Sequence, residues 1–164
     1  MSESRRAYVL QAGEDLVSAA EFPGGPARRV FKARSEQTDG RLSVSVVVSQ
    51  PGFTGPQIHR HLHADEAFFV VEGELMFRVD AKDILVKSGG FVFVPAGTPH
   101  GFMNATAEQA ICIEMFTPAD FEGYFDGLAT LRSRGMVTPE AIAELQLEFG
   151  MDVVGPPLGM QRDA

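Results

Sequence analysis

Between Val30 and Phe116 the chain is written in short apolar runs separated by turn signals. The longest run, residues 41–49, follows Asp39-Gly40 and closes at Pro51-Gly52; its first half alternates polar and apolar positions with the period of two of a half-buried strand. Further strands are predicted over residues 67–71, 74–79, 84–86, 91–94, 101–103 and 110–116. Their links, such as Glu72-Gly73, are short enough for antiparallel hairpins. Residues 1–29 read as a lead-in of loops and an edge strand, with one apolar run at Tyr8-Val9-Leu10 and a Pro23-Gly24-Gly25-Pro26 break. After Phe116 the period changes. Thr117-Pro118-Ala119-Asp120 predicts a helix start, with Thr117 as N-cap and Pro118 at the first helical position, and Phe121, Tyr124, Phe125 and Leu128 then recur at spacings of three and four. A second helix is predicted from Thr138-Pro139-Glu140, with Ile142, Leu145 and Phe149 on one stripe and Gly150 as terminator. Both helices are expected to pack on the outside of the β domain, and residues 153–158 to be extended or a short edge strand.

Composition narrows the class. With 164 residues, 45% of them hydrophobic and 22% charged, the chain is expected to be one soluble globular domain, and it has no apolar run long enough for a membrane span. A net charge of -8 with no basic stripe is the wrong sign for tracking a phosphate backbone, so nucleic acid is not an expected partner. Cys112 is the only cysteine and cannot form an internal disulfide, and the first residues lead into no signal-peptide stretch, which makes the cytoplasm the expected location. The many glycines and prolines between Val-, Ile- and Phe-rich runs point to an all-β barrel or sandwich.

The candidate chemistry lies in the histidines. All four, His59, His61, His63 and His100, fall in the middle of the chain. In an extended segment His59 and His61 point to one side, a geometry suited to gripping one metal ion. Glu66 opens an apolar run, where a carboxylate is poorly hydrated unless something positive meets it. Three imidazoles and this carboxylate around one divalent ion fulfil that condition. His63 shares the alternation of the pair but is expected at the rim or surface.

These residues resemble the two motifs of the cupin superfamily. His59, His61, Glu66 and Gly73 match the first, and Gly89, Pro95, Gly97, His100 and Asn104 match the second throughout. One departure is that six residues separate Gly52 from His59, one more than is usual in the family. The resemblance covers roughly residues 30–116 and implies a single-domain cupin over residues 1–164: a jelly-roll β-barrel core at about 30–116 and a helical extension at about 117–150. It implies one divalent transition metal ion (Fe, Mn, Ni, Co, Cu or Zn) held by His59, His61, Glu66 and His100. Gly73, Gly89 and Gly97 read as turn glycines, and Cys112 as a small apolar strand residue.

Such a centre leaves adjacent coordination positions for a bidentate oxygen ligand such as a hydroxyketone, β-diketone, catechol or flavonol, whose acidity rises on chelation. Glu66 is the obvious general base for the released proton. Thirteen phenylalanines without a tryptophan favour an apolar, aromatic substrate, with Phe68 and Phe102 as pocket candidates on the faces of Glu66 and His100; the same phenylalanines could equally form the core. Arg78 reads as a solvent-side residue or as an inward anchor for an anion. The C-terminal part resembles quercetin 2,3-dioxygenase-like single-domain cupins. A metal-dependent dioxygenase acting with O2 on a small chelating substrate is therefore expected, with a non-redox isomerase or polyketide cyclase, or a non-catalytic binding cupin, as alternatives. Family precedent adds a homodimer, with the Tyr8-Val9-Leu10 run joining the neighbour's sheet.

Overall fold

The computed structural model describes residues 6–16, 20–21 and 27–161. In chain order the elements are β1 (Ala20–Glu21), β2 (Ala27–Ala33), the single turn α1 (Ser35–Thr38), β3 (Ser43–Ser49), β4 (Gln57–His61), β5 (Asp65–Glu72), β6 (Glu74–Val79) and β7 (Lys82–Lys87). They continue with β8 (Phe91–Val94), β9 (His100–Met103), β10 (Ala110–Thr117), a 3-10 turn at Ala119–Phe121, α2 (Glu122–Ser133), α3 (Pro139–Glu148), β11 (Met151–Pro157) and a closing 3-10 turn at Leu158–Gln161. The strands form two sheets, ordered β1-β2-β3-β10-β5-β8 and β11-β4-β9-β6-β7. Every strand pairing in both is antiparallel. This is the all-β fold that the short apolar runs predicted, as two facing sheets, and the jelly roll that the motif resemblance implied.

Strands β3 and β10 alternate strictly between buried and half-buried positions; the buried rows are Ser43, Ser45, Val47 and Ser49 on β3 and Ala110, Cys112, Glu114 and Phe116 on β10, while Val44, Val46 and Val48 take the half-buried face. Between the sheets Phe53, Phe68, Val70, Leu75, Phe77, Phe102 and Cys112 form the core, Phe68 meeting Phe77 and Phe102 at ring separations of 5.0 and 5.3 Å. Each such buried ring contributes about 1.5–3 kcal/mol through burial alone. Two motif glycines shape the turns. Gly73 has φ +70°, and a Cβ there would lie 2.7 Å from the Gln109 carbonyl oxygen; Gly97, at φ +83°, donates its N–H to the His61 carbonyl at 2.7 Å.

The edge strand expected within residues 1–29 is β1, at the end of the six-stranded sheet, while residues 8–10 form no strand within the chain and the Tyr8 hydroxyl donates to the Lys32 carbonyl at 2.7 Å. Two expectations are corrected. Thr117 is not a helix cap. It ends β10 by pairing with Asp65, a cis peptide joins it to Pro118, and α2 begins only after the 3-10 turn, because the sheet ladder outcompetes the local capping signal. Strand β4 was absent from the predicted runs, since its His, Arg and Gln residues break the apolar pattern. The Pro23-Gly24-Gly25-Pro26 break lies outside the described residues. The start of α3 agrees with expectation: the Thr138 hydroxyl caps it by accepting from the Ala141 N–H at 3.2 Å, and Gly150 follows its end at φ +62°.

The helices lie outside the sheets and also cover a cavity between them. Phe121, Tyr124 and Leu128 pack with Phe116 of β10 and Met151 of β11, and Ile142 and Leu145 of α3, with Phe149 just after it, complete this second core. Strand β11 is held as the outer neighbour of β4, with Val153 opposite His59 and Met151 opposite His61. No helix among the described residues is long and apolar enough to cross a membrane.

Candidate metal centre

His59 and His61 alternate with Arg60 along β4, so both imidazoles face inward and are buried while Arg60 pairs with Asp152 on β11. His100 opens β9 directly opposite His59. Glu66 comes from the facing sheet, on β5 opposite Phe116 and Val94. The centre therefore bridges the two sheets. One potential ligand atom from each of these four residues lies within 4.8 Å of the others, and all four side chains are buried. The loop before His100 is held from both sheets: Asp65 Oδ1 accepts the Ala96 N–H at 2.8 Å, and Gly97 binds the His61 carbonyl.

The imidazoles are oriented by backbone. Nδ1 of His59 lies 2.6 Å from the Gln57 carbonyl, and Nδ1 of His100 lies 2.9 Å from that of Thr98. A carbonyl only accepts, so each Nδ1 carries the proton and each Nε2 turns its lone pair toward the centre. There His100 Nε2 stands 2.6 Å from Glu66 Oε2, with His61 Nε2 at 3.1 Å from the same oxygen. A lone pair facing a carboxylate oxygen at that distance is repulsive unless a proton or a cation stands between them. Three imidazole nitrogens and one carboxylate are moreover a donor set that suits a divalent first-row metal, with which the cluster is compatible. His61 differs from the other two, because its Nδ1 is buried without a hydrogen-bond partner. Its ring instead meets those of Phe121 and Phe116 edge-on at 4.1 and 5.3 Å.

Electrostatics follow from this packing. Burial, helped by the neighbouring imidazoles, pushes His59 down to about 3, which keeps it neutral and able to donate a lone pair. Burial alone would raise Glu66, but His100 and His61 outweigh it and hold the carboxyl well below its usual range. Burial likewise opposes charge on His100, and Glu66 overcomes this and raises it.

The four donors open on a cavity of about 230 Å3. Phe68 and Phe102 border it and also belong to the core. The other phenylalanines near the motifs divide: Phe53 and Phe77 are core only, while Phe91 and Phe93 are exposed on the outer face of the sheet. Most of the aromatic wall comes from the C-terminal part, namely Phe116, Phe121, Tyr124 and Phe125. Arg78 pairs with Asp83 at 2.6 Å on the solvent side. His63 is exposed and outside the cluster. Burial raises the Cys112 thiol far above its ordinary value, which leaves it an inert core residue. Asn104 closes the turn after β9, donating from Nδ2 to the Ser49 and Glu108 carbonyls at 3.0 and 2.8 Å.

Sequence reasoning missed a buried ion pair in this cavity. Arg29 of β2 and Glu114 of β10, each 2% exposed, meet through Arg29 Nη2 at 2.6 Å from Oε1 and 2.5 Å from Oε2. Burial pushes the Glu114 carboxyl upward, with the adjacent Glu66 adding to the rise, and the attraction of Arg29 opposes it. Burial also lowers Arg29, with Glu114 opposing, and the guanidinium stays charged near neutrality. The signal was present in the sequence: a single carboxylate in the apolar run 110–116 has to find an internal partner.

Comparison with known proteins agrees with this geometry. Residues 45–116 match the cupin domain family. Quercetin 2,3-dioxygenase of Bacillus subtilis (strain 168) is 30% identical over 120 residues, 72% of this chain but 33% of that protein. Acireductone dioxygenase of Sulfurihydrogenibium sp. is 37% identical over 81 residues, covering 46% of this chain and 45% of the relative. The chain thus spans a third to under a half of the length of these two relatives. Among solved structures, an RmlC-like cupin from Shewanella frigidimarina superposes with a TM-score of 0.57 at 22% identity over 71% of this chain and 95% of that one, a likeness of fold alone. Two spaced motifs whose residues converge between facing sheets, together with the family match across them, place this chain among the cupins.

Proposed function

We propose that this cupin is a metal-dependent dioxygenase acting on a small chelating aromatic or enolic substrate, with His59, His61, Glu66 and His100 as the metal ligands. The observation that carries the reading is the placement of four converging donors on a cavity whose wall is largely apolar and aromatic. At about 230 Å3 the cavity lies below the roughly 300–1,000 Å3 usual for ligand sites, which favours a compact chelator. The bound ion would supply Lewis acidity and, if redox-active, a means for O2 to react with the electron-rich chelate. The chain's own part is threefold. Backbone carbonyls of Gln57 and Thr98 fix two imidazoles, Phe116 and Phe121 exclude water beside His61, and Glu66 takes the substrate proton on its carboxylate. The dioxygenase names of two relatives support the oxygenase form, while the same donors would equally serve a Lewis-acid isomerase or cyclase.

The test is Glu66→Gln, read as turnover per bound metal ion with O2 uptake in parallel, using flavonols and β-diketones on protein of measured metal content. An amide oxygen can still coordinate but cannot take the proton, so metal should be partly retained while turnover per metal falls by a hundredfold or more. A Gln variant as active per metal as the parent refutes the base role. Turnover without O2 uptake moves the assignment to the isomerase or cyclase.

A homodimer completes the proposal. Phe69 and Val71 on β5 and Phe91 and Phe93 on β8 stand on the outer face of the six-stranded sheet, 39–59% exposed, with Phe69 opposite Phe91. A contiguous aromatic patch of this kind fits a second copy of the same face.

A further inference from the structure

The Arg29–Glu114 pair borders the cavity, yet nothing in metal binding calls for it. We propose that Arg29 recognises an anionic group on the substrate, so that the site prefers chelators carrying a carboxylate or second oxyanion over neutral ones. The inference rests on the chelation reading above and names the substrate class within it. Strand register puts the pair in place: Arg29 stands opposite Val47 on β3, and Glu114 stands opposite Ser45 and Phe68, two residues before the Phe116 that faces Glu66. The guanidinium is therefore on the same inner surface as the metal centre, and Glu66 acts on its charge.

Arg29 is also held rigidly. The Phe125 ring lies 3.5 Å from its guanidinium carbon, and Glu114 is itself fixed by the Ser45 hydroxyl at 3.2 Å. Among the described residues lining the cavity it is the only lysine or arginine, set among Phe68, Phe116 and Leu128. In such a low-dielectric wall a charge-assisted hydrogen bond to a carboxylate is strong, and the planar fork matches carboxylate geometry. A buried pair that served stability alone would be replaceable by apolar residues of similar volume without loss, and it would gain nothing from bordering the cavity.

The experiment compares metal-loaded protein binding to catechol and 4-methylcatechol with binding to 3,4-dihydroxybenzoate and 3,4-dihydroxyphenylacetate, two acids of different reach, by calorimetry. The parent should bind at least one acid tenfold or more tighter than its neutral counterpart, about 1.4 kcal/mol. Arg29→Met should bring the ratio to within twofold while neutral catechol affinity and metal content stay near the parent values. Because this variant leaves Glu114 alone in the interior, the double substitution Arg29→Met with Glu114→Met, which removes both charges, is measured beside it and should show the same lost preference. A parent without preference, or a preference that survives both variants, overturns the inference while leaving chelation intact. Equal weakening of neutral and acidic ligands in both variants assigns the pair to structure and overturns it too. Failure of every catechol to bind the metal-loaded parent overturns the chelation reading, and this inference with it.

Discussion

Phe121 is where the helical cover meets the metal centre, and its removal tests whether that cover belongs to the site. The ring is 5% exposed and contacts His61 at 4.1 Å, Phe116 at 4.9 Å, Tyr124 at 5.3 Å and Phe125 at 5.6 Å between centroids. Phe→Ala in a packed interior costs about 3–5 kcal/mol, the spread reflecting how far the site collapses. Phe121 borders an existing cavity, so part of its surface has no packing partner to lose and Phe121→Ala should fall at the low end, about 3 kcal/mol. For a chain of this size each kcal/mol moves Tm by about 2–4 °C, giving a fall of roughly 6–12 °C. Thermal unfolding of metal-free protein followed by circular dichroism measures this directly. The same substitution widens the cavity beside His61, so the metal-loaded variant should bind a bulkier flavonol at least as tightly, relative to catechol, as the parent does. A Tm loss under 2 °C, or a binding ratio shifted against the flavonol, would refute the account of Phe121 as a packed wall of the site.

His59→Ala, His61→Ala, Glu66→Ala and His100→Ala should each sharply lower metal content in elemental analysis, whereas His63→Ala, at an exposed position outside the cluster, should keep it. Equal loss across all five would show the ligand set to be wrong. Metal at a hundredfold its dissociation constant should stabilise the parent by about 2.7 kcal/mol, so chelator treatment should lower Tm by roughly 5–10 °C and should leave the four ligand variants unmoved. For assembly, Phe93→Glu places a charge in the exposed aromatic patch and should turn a dimer into a monomer by light scattering at micromolar concentration; a monomeric parent rules the pairing out.

Much of the site was legible because its information is local. His59 and His61 sit two apart, and in any extended segment that spacing sends both imidazoles to one face. Glu66 fits the first motif of the resemblance and His100 the second, and the fold brings all four side chains together. Period-two alternation likewise announced β3 as a strand but not its inward face, since the buried row is Ser43, Ser45, Val47 and Ser49 and the half-buried row is Val44, Val46 and Val48. The second helix start was readable for a similar reason: Thr138 caps through its own side chain, a contact that needs nothing from elsewhere in the fold.

Tertiary structure decided what depends on partners distant in sequence. Thr117-Pro118 carries a good local capping signal, yet Thr117 is claimed by its ladder partner Asp65. The stripe of Phe121, Tyr124 and Leu128 announces an amphipathic helix but not the surface it covers, and only the packing of α2 and α3 turns that stripe into the wall of the cavity. Arg29 and Glu114 are 85 residues apart; Glu114 alone reads as an oddity in an apolar strand, and Arg29 as one cation among Arg28 and Lys32 on β2. Their pairing exists only because β2 and β10 flank β3, which puts the two inward rows within reach of one another. Alternation states which residues share a face; which faces meet is settled by how the strands are ordered in the sheets and by what the helices then cover.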